Sequence, residues 1–500
     1  MIINSSKDFD RYILENDILI EDSYNIENED LKITKFKSIE VEFHNCTFNC
    51  KSLSINNIIQ QDLSIEFNNC TFNCDVSFYN CKIDSLIFSN TKTIKSLKIN
   101  GNLFNSKEKF EINSFRFNNR KENNDNPELN NEIILSTSFS FNNVLFKKYF
   151  EFNNINNTEG IFNFSNNIIG DELYANNSSC VFHSYHLSNV RFNNNIFNPY
   201  TSFKNSTFSF NKDNFTGTGC HWNEPKFERN EFNKVNFSGI EIVDYIEFDD
   251  CKFHSTTWFE ECKNLTNSKL RFVACEFKGF SLFNKSKINF LDIDRCTFDK
   301  SSSFTDAEFN TLKLFEVKFG GGAYFDEMKI NKVLDKSYLK AKNEKILEWK
   351  RTLRAIKQEL QKTENKIDFN RFRSYELAAH YKELSLWRNF KDTSILWSTK
   401  WTTDFGLSWT RAFWFTFLSG LFWYSILYRI ENSGVFNSEK VNDFFVGAFR
   451  FFLVTDFYNP LETDRVYLTN PLSWFVFILG KIVIAFGIYE MIQSFRKFKA

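Results

Sequence analysis

The stretch VEFHNCTFNC at residues 41–50 returns almost unchanged 24 residues later as IEFNNCTFNC at 65–74. In both copies two Phe stand five positions apart, Phe43 with Phe48 and Phe67 with Phe72. The same spacing of large apolar residues recurs from about Ile39 to Phe325: Phe78, Ile83, Phe88; Phe227, Phe232, Phe237; Phe248, Phe253, Trp258; Phe272, Phe277, Leu282; and Phe304, Phe309, Leu314, Phe319. A period of five is neither the 3.6 of a helix nor the 2 of a plain strand. The chain must therefore turn a corner once per five residues and coil into a four-sided helix. A second period, 24 residues from Phe43 to Phe67 and 21 from Phe227 to Phe248, is four such sides plus a small insertion. Internal repetition of this length marks a solenoid whose coils bury their apolar edges against one another.

The two C-x3-C pairs admit three readings: zinc ligands, redox pairs, or packing. Cys46, Cys70, Cys81, Cys180, Cys251, Cys275 and Cys296 each stand two places before a large apolar residue, and Ala307 stands likewise before Phe309. Residues i and i+2 of an extended segment share a face, so these thiols are expected inside, beside the rings. Cys there serves as a small hydrophobe. Packing accounts for thiols spread along the whole repeat, whereas zinc accounts only for Cys46, Cys50, Cys70 and Cys74.

The composition agrees with many short strands that each keep one wet face: 63 Phe against 16 Gly and 5 Pro, with the Phe interleaved with Asn, Ser and Lys. At 500 residues the chain is long enough for several domains without the help of metals or disulfides. Net charge is −1 but unevenly spread, −10 over residues 1–330 and +9 over 331–500. The start, MIINSSKDFDRYILEND, lacks the basic-then-apolar pattern of a secretory signal, and the eleven Cys are an odd number; both point to a reducing, cytoplasmic compartment.

A small residue, a polar residue and then Phe or Leu, repeating in fives, resembles the pentapeptide-repeat family. The resemblance implies a right-handed quadrilateral parallel β-helix. The stretch NRKENNDNPELNNE at 119–132 breaks the rhythm and is expected to protrude as a loop, and the pentads between Phe141 and Phe215 are ragged.

Beyond residue 330 the pattern becomes helical. Leu347, Leu353, Ile356 and Leu360 fall near one stripe; Phe372, Tyr375, Leu377, Ala378, Tyr381 and Leu384 fall along another. Residues 332–400 carry 17 basic and 9 acidic side chains. Two segments then have the length and apolarity of membrane spans, 412–428 and 472–492. The loop between them, 431–470, holds three basic and six acidic residues, which puts it outside and both termini in the cytoplasm. The expected domains are an N-terminal cap (1–35), the solenoid (36–330), a basic helical linker (331–405) and a two-span membrane domain (406–500). The expected location is the inner (cytoplasmic) membrane.

No catalytic constellation is found, and neither catalytic residues, a cofactor nor a metal is expected. His183 and His186 beside Cys180 do not converge on a strand, and Cys220 next to His221 is adjacent rather than convergent. Between the spans, Phe444, Phe445, Ala448, Phe451, Phe452 and Val454 read as a short apolar helix, re-entrant or interfacial, at about Asp443 to Val454, followed by the polar TDFYNP. Some bacterial pentapeptide-repeat proteins look like this chain throughout, with a β-helix, a basic linker and a channel-like membrane domain. That resemblance places a filter on Thr455, Asp456, Phe457 and Tyr458, which lacks the Gly of a potassium filter. Lys481 and Glu490 are intramembrane charges, each expected to face a partner helix or water, with contact between subunits favoured. The favoured function is a non-catalytic membrane-anchored recognition or scaffold module. Its partners are the lipid bilayer, further copies of the chain through the membrane domain, and an unidentified macromolecule on the solenoid, with no nucleic acid. The alternative is an oligomeric ion channel or membrane-permeabilising effector gated by the solenoid.

Overall fold

In the computed structural model the described residues are 23–36, 38–59, 62–79, 81–89, 93–100, 110–118, 138–153, 162–170, 179–183, 186–188, 190–209, 226–243, 245–264, 268–340, 342–384, 389–432, 441–462 and 465–496, with short pieces at 2–3, 7, 18–20 and 156–157. The interruption at 119–132, His221 and Cys220, and the side chains of His183 and His186 lie outside them. The chain divides into two units, Met1–Asp335 and Lys336–Ala500. The expected linker thus falls in the same unit as the later helices, apart from its first residues, which fall with the solenoid.

The first unit is a parallel β-solenoid. Four ladders run through its C-terminal half, one per side of the coil. On the first, Phe227, Phe248, Phe272, Ile293 and Leu314 stand in register. Phe232, Phe253, Phe277, Phe298 and Phe319 follow on the second. Phe237, Phe259, Phe283, Phe304 and Phe325 stack on the third. Ile288, Phe309 and Ile330 close the fourth. Ring centroids repeat at 4.5 Å from Phe253 to Phe277, 4.5 Å from Phe277 to Phe298 and 4.9 Å from Phe283 to Phe304, with planes nearly parallel. That is the spacing of neighbouring strands, so side-chain stacking and backbone pairing share one period. Parallel pairing is already present at Ser23–Ile33 with Thr47–Asn56 and at Ile18–Ile20 with Glu40–His44, so the ladder starts within the stretch expected as a cap.

In the C-terminal coils a left-handed residue marks every second corner, as at Asp250, Glu261, Ala274 and Lys285. Asn45, Asn69, Asp250, Ala274, Arg295 and Asp306 all have φ between 51° and 56°, and each directly precedes the small inward residue: Cys46, Cys70, Cys251, Cys275, Cys296 and Ala307. One left-handed residue turns the chain, and Asn and Asp tolerate that region best among non-Gly residues. The inward thiols are buried as expected, and they also donate. Cys251 Sγ reaches the Phe227 carbonyl at 3.1 Å, Cys70 that of Phe43 at 3.2 Å, and Cys275 that of Phe248 at 3.4 Å.

In the ragged middle the same slot is filled by Asn167, Asn195 and Asn230, each 0% exposed. Their amides donate to the carbonyls of Phe141 (2.9 Å), Phe164 (2.7 Å) and Phe192 (2.9 Å). They also bond to each other in a continuous column, Asn167 Nδ2 to Asn195 Oδ1 at 3.2 Å and Asn195 Nδ2 to Asn230 Oδ1 at 2.9 Å. Ser286 takes the slot elsewhere, donating to the Phe259 carbonyl at 2.6 Å. Apart from Ala307, the residues named in this slot carry a side chain that donates to a buried corner carbonyl.

The second unit is helical: α1 (Asn343–Lys362), α2 (Lys366–Glu383), α3 (Phe390–Thr403), α4 (Trp409–Glu431), α5 (Val441–Phe452) and α6 (Pro471–Arg496). The buried stripe of α1 is Ile346, Trp349, Leu353, Ile356 and Leu360. Leu347, expected within it, is exposed, because the 3-4-3-4 spacing runs through its neighbour Ile346. Helix α2 answers with Phe372, Tyr375 and Ala379, and Tyr338 donates its hydroxyl to the Tyr375 carbonyl at 2.9 Å. Helix α3 was not anticipated by the apolar pattern of the linker. One described helix, over Pro471–Phe495, is long and apolar enough to cross a membrane. Helix α4 spans 23 residues, but its Arg411, Ser419, Tyr424, Ser425, Tyr428 and Arg429 lower its apolarity, so one of the two expected spans meets that test.

Candidate functional site

Two surfaces carry the side chains able to do something beyond holding the fold. On the first ladder of the solenoid, alternate residues face outward and form a row of alternating charge across successive coils: Lys226, Glu247, Arg271, Asp292. Lys226 lies 3.7 Å from Glu247 and 3.0 Å from Asp249; Arg271 lies 3.2 Å from Glu247, 3.5 Å from Asp292 and 3.6 Å from Asp294. Lys269 joins at 3.2 Å from Asp292 and sits over the rings of Tyr245 and Phe290. Burial raises the Tyr245 hydroxyl above its ordinary pKa, and its hydrogen bond to Glu247 adds to this. Opposite charges directly across a pair favour this register over a slipped one. On another side, Lys234 lies 5.2 Å above Trp258 and 5.9 Å above Tyr200, two rings themselves 6.4 Å apart. This mixed aromatic and basic patch is suited to stacking and to hydrogen bonding.

The second surface lies in the helical unit. Contacts of Trp409 with Phe495, Thr416 with Gly487 and Trp423 with Gly480 set α4 and α6 antiparallel. A Cβ at Gly480 would lie 2.6 Å from Phe451 Cζ and 2.9 Å from Trp423 Cβ, and one at Gly487 would overlap Thr416, so glycine permits the close approach. Helix α5 wedges against both. Its start meets α4 near the far end, Phe444 lying 5.0 Å from Tyr424 and 5.2 Å from Tyr428. Its end stops halfway along each neighbour, with Phe452 against Gly420 and Phe451 against Gly480. The chain then turns back: Asn459 N–H donates to the Val466 carbonyl at 2.7 Å, and Tyr458 stacks at 5.2 Å on Tyr467.

The expected filter residues occupy that turn. Thr455 and Phe457 are exposed, while Asp456 and Tyr458 are half-buried. Asp456 Oδ1 accepts from the Tyr458 N–H at 3.1 Å, and Arg465 sits over the Tyr458 ring. Lys481, only 4% exposed, donates from Nζ to the Leu453 carbonyl at 2.5 Å and rests against the rings of Phe451 and Phe477. It caps the carbonyl end of α5, where the helix dipole is negative, and Asp456 interacts with it electrostatically. Glu490, 6% exposed, accepts from Thr403 Oγ1 at 3.0 Å beside a cavity of about 310 Å³ that Arg373 and Gln493 also line. Both charges thus have a hydrogen-bond partner within the one chain. Lys481 and Glu490 are each placed by a different partner, and the structure does not bring them together.

The partner of Lys481 is a main-chain carbonyl, for which a sequence carries no sign. Among the described residues no group of three or more His, Cys, Asp or Glu is placed to hold a metal ion. No protein-family model, curated protein or solved structure matches this chain.

Proposed function

We propose that the chain is a non-catalytic, membrane-anchored β-solenoid of the pentapeptide-repeat kind, acting as a recognition or scaffold module. In this reading α4 and α6 both cross the inner membrane, α5 is a re-entrant half-helix between them, and both termini are cytoplasmic. The observation that carries it is the Lys481–Leu453 contact. A half-helix that guides a cation keeps its negative carbonyl end open towards the ion. Here that end is filled by the chain's own ammonium, so α5 serves as a brace that lets the helical unit stand as a finished anchor. The solenoid then offers outward ladders, among them the alternating charges of Lys226, Glu247, Arg271 and Asp292, to a macromolecular partner. Pairing of acids with bases on that face disfavours mimicry of a nucleic-acid backbone.

A second reading, an oligomeric ion pathway, is favoured by one observation: α5 ends halfway along α4 and α6 and leaves Thr455 and Phe457 exposed. Reconstitution of the purified chain in liposomes separates the two. The anchor passes no cations, and Asp456→Asn changes nothing. A cation flux that Asp456→Asn abolishes, from a particle of about four copies, would replace the anchor with the channel.

A further inference from the structure

Helix α3 is inside out for a helix of a water-soluble bundle. The residues it turns towards the protein are threonines, with Thr393, Thr402 and Thr403 at most 4% exposed. Thr402 donates its hydroxyl to the Ser398 carbonyl, and the one hydroxyl proton of Thr403 lies within reach of both the Thr399 carbonyl and Glu490. Beside the exposed Asp392 and Ser394 it turns outward four large apolar residues, Phe390, Ile395, Trp397 and Trp401, all more than half exposed. Phe390, Trp397 and Trp401 are spaced by seven and four, which puts them in one stripe along the helix, and the two indoles lie 6.2 Å apart. Lys391 and Lys400 flank that stripe on its two sides, both exposed.

We propose that α3 lies in the plane of the membrane surface, with this stripe immersed at headgroup level. The inference rests on the reading of α4 and α6 as spans. An apolar stripe rich in Trp with Lys at its margins is the composition of an interfacial helix, since indole rings favour the boundary and lysine stems reach back to water and phosphate. A lipid surface is singled out over other occupants by continuity. Five residues, Asp404–Ser408, join α3 to α4, whose Trp409, Phe413 and Trp414 are exposed in turn, and Phe495 at the end of α6, also exposed, stacks on Trp409. Exposed aromatic residues thus stand on α3 and, only five residues further along the chain, at the start of α4 beside the end of α6. Helix α3 then fixes the height and tilt of α1 and α2 above the bilayer.

Spin labels at Trp397→Cys, Trp401→Cys and Ile482→Cys, one at a time in a Cys220→Ser background of the full chain reconstituted in phosphatidylethanolamine–phosphatidylglycerol vesicles, test this. The native described thiols are buried and stay unlabelled. Labels at 397 and 401 are expected to collide more with oxygen than with an aqueous nickel chelate, at a depth shallower than the label at 482. Nickel-accessible labels at 397 and 401 with a lipid-deep label at 482 overturn the proposal and leave the anchor intact. A nickel-accessible label at 482 overturns both. Labels at 397 and 401 shielded from both reagents and broadened by a second label show instead that another copy covers the stripe, which also overturns it.

Discussion

The asparagine column inside the solenoid makes the sharpest test of how the corners work. Asn195 accepts from the Asn167 N–H at 2.9 Å, donates to the Phe164 carbonyl at 2.7 Å, and is fully buried. Asn195→Ala removes the acceptor of one buried main-chain group and the donor of another. At about 1–3 kcal/mol for each buried group left so, the cost is about 2–6 kcal/mol. Asn195→Ser keeps a donor in the slot, as Ser286 does towards Phe259, so it should recover roughly half of that loss. Asn195→Leu, of similar volume but unable to bond, should be as poor as the Ala variant. Coils interact only with neighbours, so the loss should be local. Hydrogen exchange read by mass spectrometry should show faster exchange in the coils around 162–170, 190–202 and 226–236 and an unchanged pattern beyond residue 290. Asn195→Ala within about 0.5 kcal/mol of the parent, or a Ser variant no better than Leu, would refute the donor requirement at the corner.

Phe277 stacks at 4.5 Å on both Phe253 and Phe298, so Phe277→Ala should cost about 3–5 kcal/mol through the cavity it leaves; uniform loosening of the whole solenoid in the same exchange experiment would contradict modular packing. Burial pushes the Cys81 thiol up to about 11 and the Cys262 thiol to about 12, and holds those of Cys180 and Cys275 well above their ordinary range. Native alkylation near neutral pH should therefore leave these four unmodified, and stoichiometric labelling of any of them would count against the inward placement. Burial opposes ionisation of Glu376, but Lys357 and Arg354 outweigh it and hold the carboxyl below its ordinary value. A depressed carboxyl contributes stability above its unfolded pKa and loses it as pH falls through the folded value. Glu376→Gln should thus destabilise the α1–α2 pair at neutral pH and match the parent in strong acid; a penalty independent of pH would contradict this.

The five-residue period was legible because it is written in rings, and a Phe every fifth residue has few places to go but inward. The Asn column was not. Asn166 and Asn194 at the left-handed corners are exposed, and Asn167 and Asn195 beside them are buried. Two adjacent asparagines with opposite orientations read alike in a sequence. Their signal, visible afterwards, is that they stand where Cys251 and Cys275 stand in later coils. In the helical unit the sequence located α5 and the turn holding Asp456, but the close packing of α5 against Gly420 and Gly480 depends on glycines that carry no pattern. The stripe of α3 was present at Phe390, Trp397 and Trp401, yet its buried side is threonine, so an apolar-inside search passes over it.

The central claim, that this solenoid is tethered through its own helices, is tested most directly by an alkaline carbonate wash of membranes from cells making the full chain. The account predicts that the protein stays in the pellet with integral membrane proteins. Release into the supernatant, or recovery as a soluble species after lysis without detergent, would contradict it.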